Sequence, residues 1–111
     1  MINSLEEFVN AFTTSLTRWK DKLAYRFWQP GQVPKLPYCV YYERKSDNFK
    51  ADNKVYRKGS KVIVELYTKN KSVRDEAYLE SFLDNHDMPW DKTEQYIDDE
   101  ELYMVYYEIN I

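Results

Sequence analysis

The chain has 111 residues, which is enough for one domain with a single hydrophobic core but too few for two domains. Hydrophobic residues make up 43% of the chain and charged residues 32%, and there is no run of about 18 apolar residues of the kind that crosses a membrane. Acidic Glu6 and Glu7 stand where a signal peptide would be basic, so we expect an intracellular protein without a membrane segment.

The net charge of −3 conceals a strong separation of charge along the chain. Residues 18–71 contain 14 basic and 5 acidic side chains, a net charge of +9, whereas residues 84–111 contain 1 basic and 9 acidic side chains, a net charge of −8. Such asymmetry predicts an interaction surface, or alternatively two segments that folding brings together. The 11 tyrosines suit half-buried sheet faces or surfaces that become buried on association.

An amphipathic helix is predicted near the start of the chain. Ser4 and Glu7 have the spacing of a capping box, and apolar residues then recur in steps of three and four from Leu5 to Leu23. We expect this helix to run from Ser4 to about Lys22, with its apolar stripe packed against a core.

A strand followed by a helix forms the predicted centre of the fold. Val62, Val64 and Leu66 alternate on one face of a strand at residues 61–68, with Glu65 and Tyr67 on the other. Further strands are predicted at residues 38–43, 93–97 and 102–110, with a shorter candidate at 24–28 and a turn at residues 98–101.

The second helix is predicted from Ser72, which forms a capping box with Asp75, to about Asn85. One side of it carries Leu79, Phe82, Leu83 and His86, so the helix can cover the apolar face of the preceding strand. Together the elements predict a single α+β domain over residues 1–111, in which two helices flank a mostly antiparallel sheet of about four to five strands.

A polar, basic segment at residues 44–58 joins two of these strands. It contains two Asp-Asn pairs, which favour turns, and little apolar surface to bury. We interpret it as a long β-arm or loop, with Lys54–Arg57 extended, that is mobile in the free chain and ordered on assembly.

The sequence offers little chemistry. Cys39 lies in an apolar run and is interpreted as a buried structural thiol, and His86 as a structural or surface residue. Asp98–Glu101 lacks the spacing of a calcium loop and is interpreted as a solvated turn, and Glu76 and Glu80 as the wet side of a helix. We therefore expect no enzyme, and no catalytic, cofactor or metal site.

Several segments resemble the small tail-completion, tail-terminator or head–tail joining proteins of long-tailed bacteriophages and prophages. The resemblance covers residues 36–111, and its most specific parts are Ala51-Asp-Asn-Lys-Val-Tyr56 and Glu65-Leu-Tyr-Thr68, in that order and separation. It implies a structural virion protein, made in the bacterial cytoplasm, that caps the tail tube at its head-proximal end and joins it to the head connector. It also implies assembly into six-membered rings, from subunits that can be monomeric when isolated, and does not separate a tail terminator from a neck adaptor.

A head-to-tail ring contact needs two different patches on each subunit, and the two charged segments could supply them. We expect the arm to meet the acidic turn of a neighbouring copy. The candidate interface residues are Arg44, Lys45, Phe49, Lys50, Lys54, Tyr56, Arg57, Asp98, Asp99, Glu100 and Glu101. The alternative from another class is a nucleic-acid-binding module, because single-strand binders also interleave basic and aromatic residues; the sequence pI of about 5.2 speaks against it.

Overall fold

The computed structural model describes residues 2–111 and confirms the α+β class. The helices are α1 (Leu5–Ser15) and α2 (Val73–Asn85), and the strands are β1 (Leu23–Tyr25), β2 (Tyr38–Ser46), β3 (Phe49–Ala51), β4 (Lys54–Arg57), β5 (Ser60–Thr68), β6 (Trp90–Ile97) and β7 (Leu102–Asn110). Among the described residues, neither helix is long and apolar enough to span a membrane.

Five strands form the main sheet, in the order β1-β2-β5-β7-β6. All neighbours in this sheet are antiparallel except β1 and β2, which run parallel. β3 and β4 pair only with each other and form a separate hairpin. The sheet is therefore centred on β5, which is hydrogen-bonded to β2 on one edge and to β7 on the other.

Both helices pack on one face of the sheet, which we call the inner face. The β5 side chains Val62, Val64 and Leu66 are fully buried there, as their alternation predicted. The Phe82 ring of α2 lies 5.9 Å from the ring of Phe8 in α1, so the two helices also meet each other over this face. This single layer of helices on a sheet forms the hydrophobic core.

Helix α1 is shorter than predicted. It is capped by Ser4, whose Oγ accepts a hydrogen bond from the Glu7 amide at 3.1 Å, but it ends at Ser15 rather than near Lys22. Thr14 lies in the last turn and donates its hydroxyl to the Asn10 carbonyl, and β-branched residues weaken helices. A short 3₁₀ turn at Thr17–Trp19 follows, which keeps the apolar stripe buried after the helix has ended.

The remaining elements follow the prediction with shifted ends. The Ser72 hydroxyl oxygen accepts from the Asp75 amide at 3.2 Å, which confirms the predicted cap of α2. β2 is three residues longer than predicted, and β6 begins three residues earlier, at Trp90. The short first strand ends at Tyr25 because Arg26 adopts a left-handed backbone conformation, with φ of 67°.

The polar segment at residues 44–58 is an arm rather than a loop. The β3–β4 hairpin turns at Asp52 and Asn53, which both have positive φ as a two-residue hairpin turn requires. At its base, the Asp47 amide donates to the Gly59 carbonyl at 2.8 Å, and a Cβ on Gly59 would lie 2.6 Å from the Asp47 carbonyl oxygen. Glycine is therefore required for the close approach of the two chains at the base. The predicted mobility of the arm stays a prediction.

We expect Leu66→Ala and Leu83→Ala each to lower the free energy of unfolding by about 2 to 5 kcal/mol, because each removes a fully buried side chain and leaves a cavity. Urea unfolding followed by circular dichroism measures this change. Val73→Ala, at an exposed position of α2, is the control and should change the stability by less than about 0.5 kcal/mol. Wild-type stability in either leucine variant would contradict this core.

Candidate functional site

The arm and the acidic turn lie at opposite ends of the sheet. The arm leaves the body where β2 ends and β5 begins, beside the chain end at Ile111, which exchanges backbone hydrogen bonds with Ser60. The acidic turn, Asp98–Glu101, joins β6 to β7 at the other end. The nine residues of β7 separate them by roughly 30 Å at about 3.4 Å per residue. Folding therefore does not bring the two predicted patches together within one chain.

The arm presents two aromatic rings to solvent. Phe49 is 65% exposed and Tyr56 is 61% exposed, although both lie on strands. The basic residues Lys50, Lys54 and Arg57 surround them on the same hairpin, and within residues 2–111 none of these three forms an ion pair. Exposed aromatic rings on an isolated two-stranded hairpin are typical of a surface that becomes buried on association.

Like those three basic residues, the acidic turn forms no ion pair among residues 2–111. All four of its side chains are exposed, and in the described part of the chain none of them pairs with a lysine or arginine. The Glu101 amide donates to the Asp98 carbonyl at 3.2 Å, so the turn has a defined backbone conformation. It concentrates negative charge at one end of the molecule.

Arg44 differs from the other predicted arm residues. It lies at an irregularity in the pairing of β2 with β5, and its guanidinium pairs with the Glu108 carboxylate of β7 at 3.0 Å. Part of its charge is therefore compensated within the chain. Lys45 is exposed and unpaired among the described residues, so the free positive charge of the arm begins there.

A tyrosine cluster covers the outer face of the sheet, opposite the helices. At its centre the Glu65 carboxylate accepts hydrogen bonds from the Tyr67 hydroxyl at 2.6 Å and from the Tyr42 hydroxyl at 3.2 Å. The Tyr38 and Tyr67 rings stack with their centroids 5.2 Å apart. Burial, followed by the hydrogen bond to Glu65, raises the pKa of Tyr67 above its usual range, so this hydroxyl stays a donor.

The sequence analysis did not predict this outer cluster. The alternation of side chains along β2 and β5 would have indicated it if the pairing of the two strands had been known. Residues 38, 40 and 42 share a face with residues 63, 65 and 67 once the two strands are paired. The pairing register was the missing information, because the sequence shows the tyrosines without showing which strands are neighbours.

The cysteine and the histidine have structural surroundings. Cys39 is completely buried in the core, as predicted, and burial raises the pKa of its thiol, which disfavours the reactive thiolate. The His86 ring Nδ1 lies 3.0 Å from the Phe82 carbonyl oxygen at the end of α2.

The interpretation of Glu76 and Glu80 as the wet side of a helix is wrong, because the Glu80 side chain is only 19% exposed and Glu76 is buried. The Glu76 side chain is only 4% exposed, and its two carboxylate oxygens contact the ammonium groups of Lys71 at 2.7 Å and Lys92 at 3.0 Å. Lys92 also contacts Glu80, which in turn accepts a hydrogen bond from the buried Tyr107 hydroxyl at 2.7 Å. The two carboxylates thus anchor α2 to the edge of the sheet, because β6 supplies a lysine that reaches beneath the helix.

These contacts determine the protonation of Glu76. Burial by itself raises the pKa of the carboxyl group, but the hydrogen bonds from Lys71 and Lys92 outweigh it and leave the pKa below its ordinary value of 4.5. A carboxyl group whose pKa is lowered by folding stabilises the folded state above its unfolded pKa and loses that contribution as the pH falls.

No protein-family model matches the chain, and no curated protein sequence is significantly similar to it. The resemblance to tail-completion proteins therefore stays a prediction that rests on the segments quoted above.

We expect Glu76→Gln to lower the free energy of unfolding at pH 7 by about 1 to 3 kcal/mol, because the buried contacts of the carboxylate with Lys71 and Lys92 lose their charge. The difference from wild type should begin to shrink below about pH 4.5, where the carboxyl group of the unfolded chain becomes protonated, and should be lost as the pH falls through the lower pKa of the folded chain. Urea unfolding at a series of pH values between neutral and acidic measures both effects.

Glu94→Gln is the matched control. Glu94 also pairs with Lys71, at 2.6 Å, but it is half exposed, so its removal should cost less than about 1 kcal/mol. If the difference in the free energy of unfolding between wild type and Glu76→Gln is the same at every pH in this range, the buried carboxylate does not contribute as described.

Proposed function

We propose that this chain is a tail-completion protein of a long-tailed bacteriophage or prophage. In this role it caps the tail tube at its head-proximal end and joins it to the head connector, as part of the virion, after synthesis in the bacterial cytoplasm. Its partners are further copies of itself, in a ring of six, together with tail-tube and connector proteins. The role is structural, without catalysis or a cofactor.

One observation carries this proposal: an arm with a net positive charge and an acidic turn lie at opposite ends of an elongated molecule, whose longest extent is 49 Å. Two different and complementary patches on one subunit favour head-to-tail contact, in which the arm of one copy meets the turn of the next. Such contacts form closed rings when the rotation between copies closes on itself. The exposed aromatic rings of the arm support the same role, since interface cores are enriched in aromatic residues.

The contributions of the charges and the rings differ in size. An exposed ion pair contributes only about 0.2 to 1 kcal/mol, whereas a buried aromatic anchor contributes about 2 kcal/mol or more. We therefore infer that the charges set the orientation of neighbouring copies and that Phe49 and Tyr56 supply most of the affinity.

Nucleic-acid binding is the second candidate, and the arm is the observation that favours it. Phe49 and Tyr56 are exposed beside unpaired Lys50, Lys54 and Arg57, an arrangement on which bases could stack while phosphates meet the basic groups.

Reversing the charge of the arm should block assembly without unfolding the subunit. We expect Lys50→Glu with Lys54→Glu to lower the yield of completed, infectious particles about tenfold or more, because like charges then face each other across the contact. Combining it in the same chain with Asp98→Lys and Glu100→Lys should partly restore the yield. Infectious titre, with tail length and head attachment by electron microscopy, measures the effect.

The matched control is Lys20→Glu with Lys69→Glu, which makes the same change of net charge at two exposed lysines outside the arm. This control should assemble as wild type does. Normal assembly of the arm variant, with unchanged circular dichroism, would show that the arm charges have no part in the contact.

The rival function is tested with purified protein and short oligonucleotides, single-stranded and double-stranded. If the chain is an assembly protein, binding should be weak at low salt and should disappear at physiological salt, because only non-specific phosphate contacts are made. Fluorescence anisotropy across a salt series measures this. Sub-micromolar affinity at physiological salt that depends on Phe49 and Tyr56 would favour the nucleic-acid module.

A further inference from the structure

A cavity of about 240 Å³ opens on the outer face of the sheet, directly beside the acidic turn. Its walls include Phe27, Trp28, Val33, Tyr38, Tyr67 and Glu100. It is smaller than the clefts of about 300 to 1,000 Å³ that hold small-molecule ligands. The cavity therefore suits one or two inserted side chains better than a cofactor.

The walls of the cavity are aromatic and only partly packed. The Tyr38 ring stacks on Tyr67, and the Trp28 ring meets Tyr38 edge-on with a centroid distance of 6.2 Å. The Phe27 ring is 62% exposed. Buried Trp28 Nε1 has no hydrogen-bond acceptor among residues 2–111, so this wall is incompletely satisfied in the isolated chain.

The cavity opens beside the negatively charged turn. Glu100 lines the cavity, and burial, followed by the charge of Glu100, raises the pKa of the Tyr38 hydroxyl. Asp98 and Asp99 precede it in the chain, and Glu101 follows it. An occupant that inserts aromatic rings here while carrying positive charge on either side would match both the walls and the turn.

One basic residue, Arg26, also lines the cavity, and neighbouring aromatic rings stabilise its positive charge. Its guanidinium carbon lies 5.2 Å from the centroid of the Tyr42 ring and 5.7 Å from that of Tyr25, so the cation already rests on aromatic faces. It extends the aromatic wall, on which a further ring can stack.

We propose that this cavity is the docking site for the arm of a second copy of this chain, with Phe49 and Tyr56 entering it. The arm has the required chemistry, because both rings are exposed and stand among Lys50, Lys54 and Arg57. The arm of the same copy cannot reach the cavity, since it leaves the sheet at the opposite end, roughly 30 Å away along β7.

This inference rests on the head-to-tail association in the proposed function and names the surface that receives the arm. Each copy would donate one arm and accept one, so the contact is heterologous and propagates from copy to copy. The acidic turn then orients the arm, and the aromatic cavity holds it.

Cysteine cross-linking of the full chain tests the contact, and it also traps a transient contact if the free subunit is monomeric. Val33, in the cavity wall, and Val55, on the arm, are 53% and 47% exposed and tolerate replacement by cysteine. Native Cys39 is buried and stays out of the reaction. A disulfide forms only when the two Cα atoms approach within about 7 Å.

We expect the chain carrying both Val33→Cys and Val55→Cys to give a ladder of covalent oligomers under mild oxidation. A mixture of the two single variants should give heterodimers and no ladder. The control pair is Val55→Cys with Val73→Cys, because Val73 is exposed on α2, away from the cavity. The ladder should form at least about tenfold faster than the products of the control pair. Equal rates would overturn the proposal.

Adding Phe49→Ser and Tyr56→Ser to the double-cysteine chain should slow ladder formation about 30-fold, the loss typical of removing an aromatic anchor from an interface. An unchanged rate would overturn the assignment of these rings as the inserted groups. Circular dichroism of the serine variant, which changes only exposed side chains, confirms that the fold is retained.

The outcome separates this inference from the proposed function. If the covalent ladder forms and depends on Phe49 and Tyr56, but the chain has no role in tail completion, the docking site is supported and the proposed function is refuted. Tail completion that survives Phe49→Ser with Tyr56→Ser would refute the docking site and leave the function standing.

Discussion

The burial of the inward side of β5 is the constraint on which this structure depends. The strand is hydrogen-bonded along both edges, and Val62, Val64 and Leu66 lie fully buried beneath the two helices. Because side chains alternate along a strand, a slip of one residue would turn Glu65 into the core and these apolar residues out of it. Burial therefore fixes the register, and the register places the arm at one end of the sheet and the acidic turn at the other.

The outer face shows how a sheet can remain stable without a second layer of helices. Val40 and Ile63 are buried there although no helix covers them; in the register of β2 with β5, Tyr42 lies opposite Ile63, and Tyr38 and Tyr42 flank Val40 on the same face. The tyrosine hydroxyls meanwhile satisfy the Glu65 carboxylate at the centre of the face. A tyrosine contributes apolar area at its ring and a hydrogen bond at its tip, so one face can be compatible both with water and with a partner.

The charges divide into two groups with different roles. Lys71, Glu76, Lys92 and Glu80 neutralise one another between α2 and the edge of the sheet, and they hold the helix in place. Apart from Arg44, which pairs with Glu108, the arm and the acidic turn form no ion pair among the described residues, and they are too far apart to compensate each other. Uncompensated charge of opposite sign at two ends gives the molecule a direction, which is a property suited to head-to-tail association.

The sequence by itself determined the elements whose causes are local: the caps at Ser4 and Ser72, the alternation of β5, and the turn at Asp98–Glu101. The apolar stripe could not show where α1 ends, because the stripe continues past the helix and stays buried in a 3₁₀ turn. Tertiary structure decided that Glu76 is buried, since Lys92, one of the two lysines that compensate its charge, comes from β6, 16 residues away. The aromatic cavity also depends on tertiary structure, because side chains as far apart in the chain as Arg26 and Glu100 line it, and only strand pairing brings them to one place.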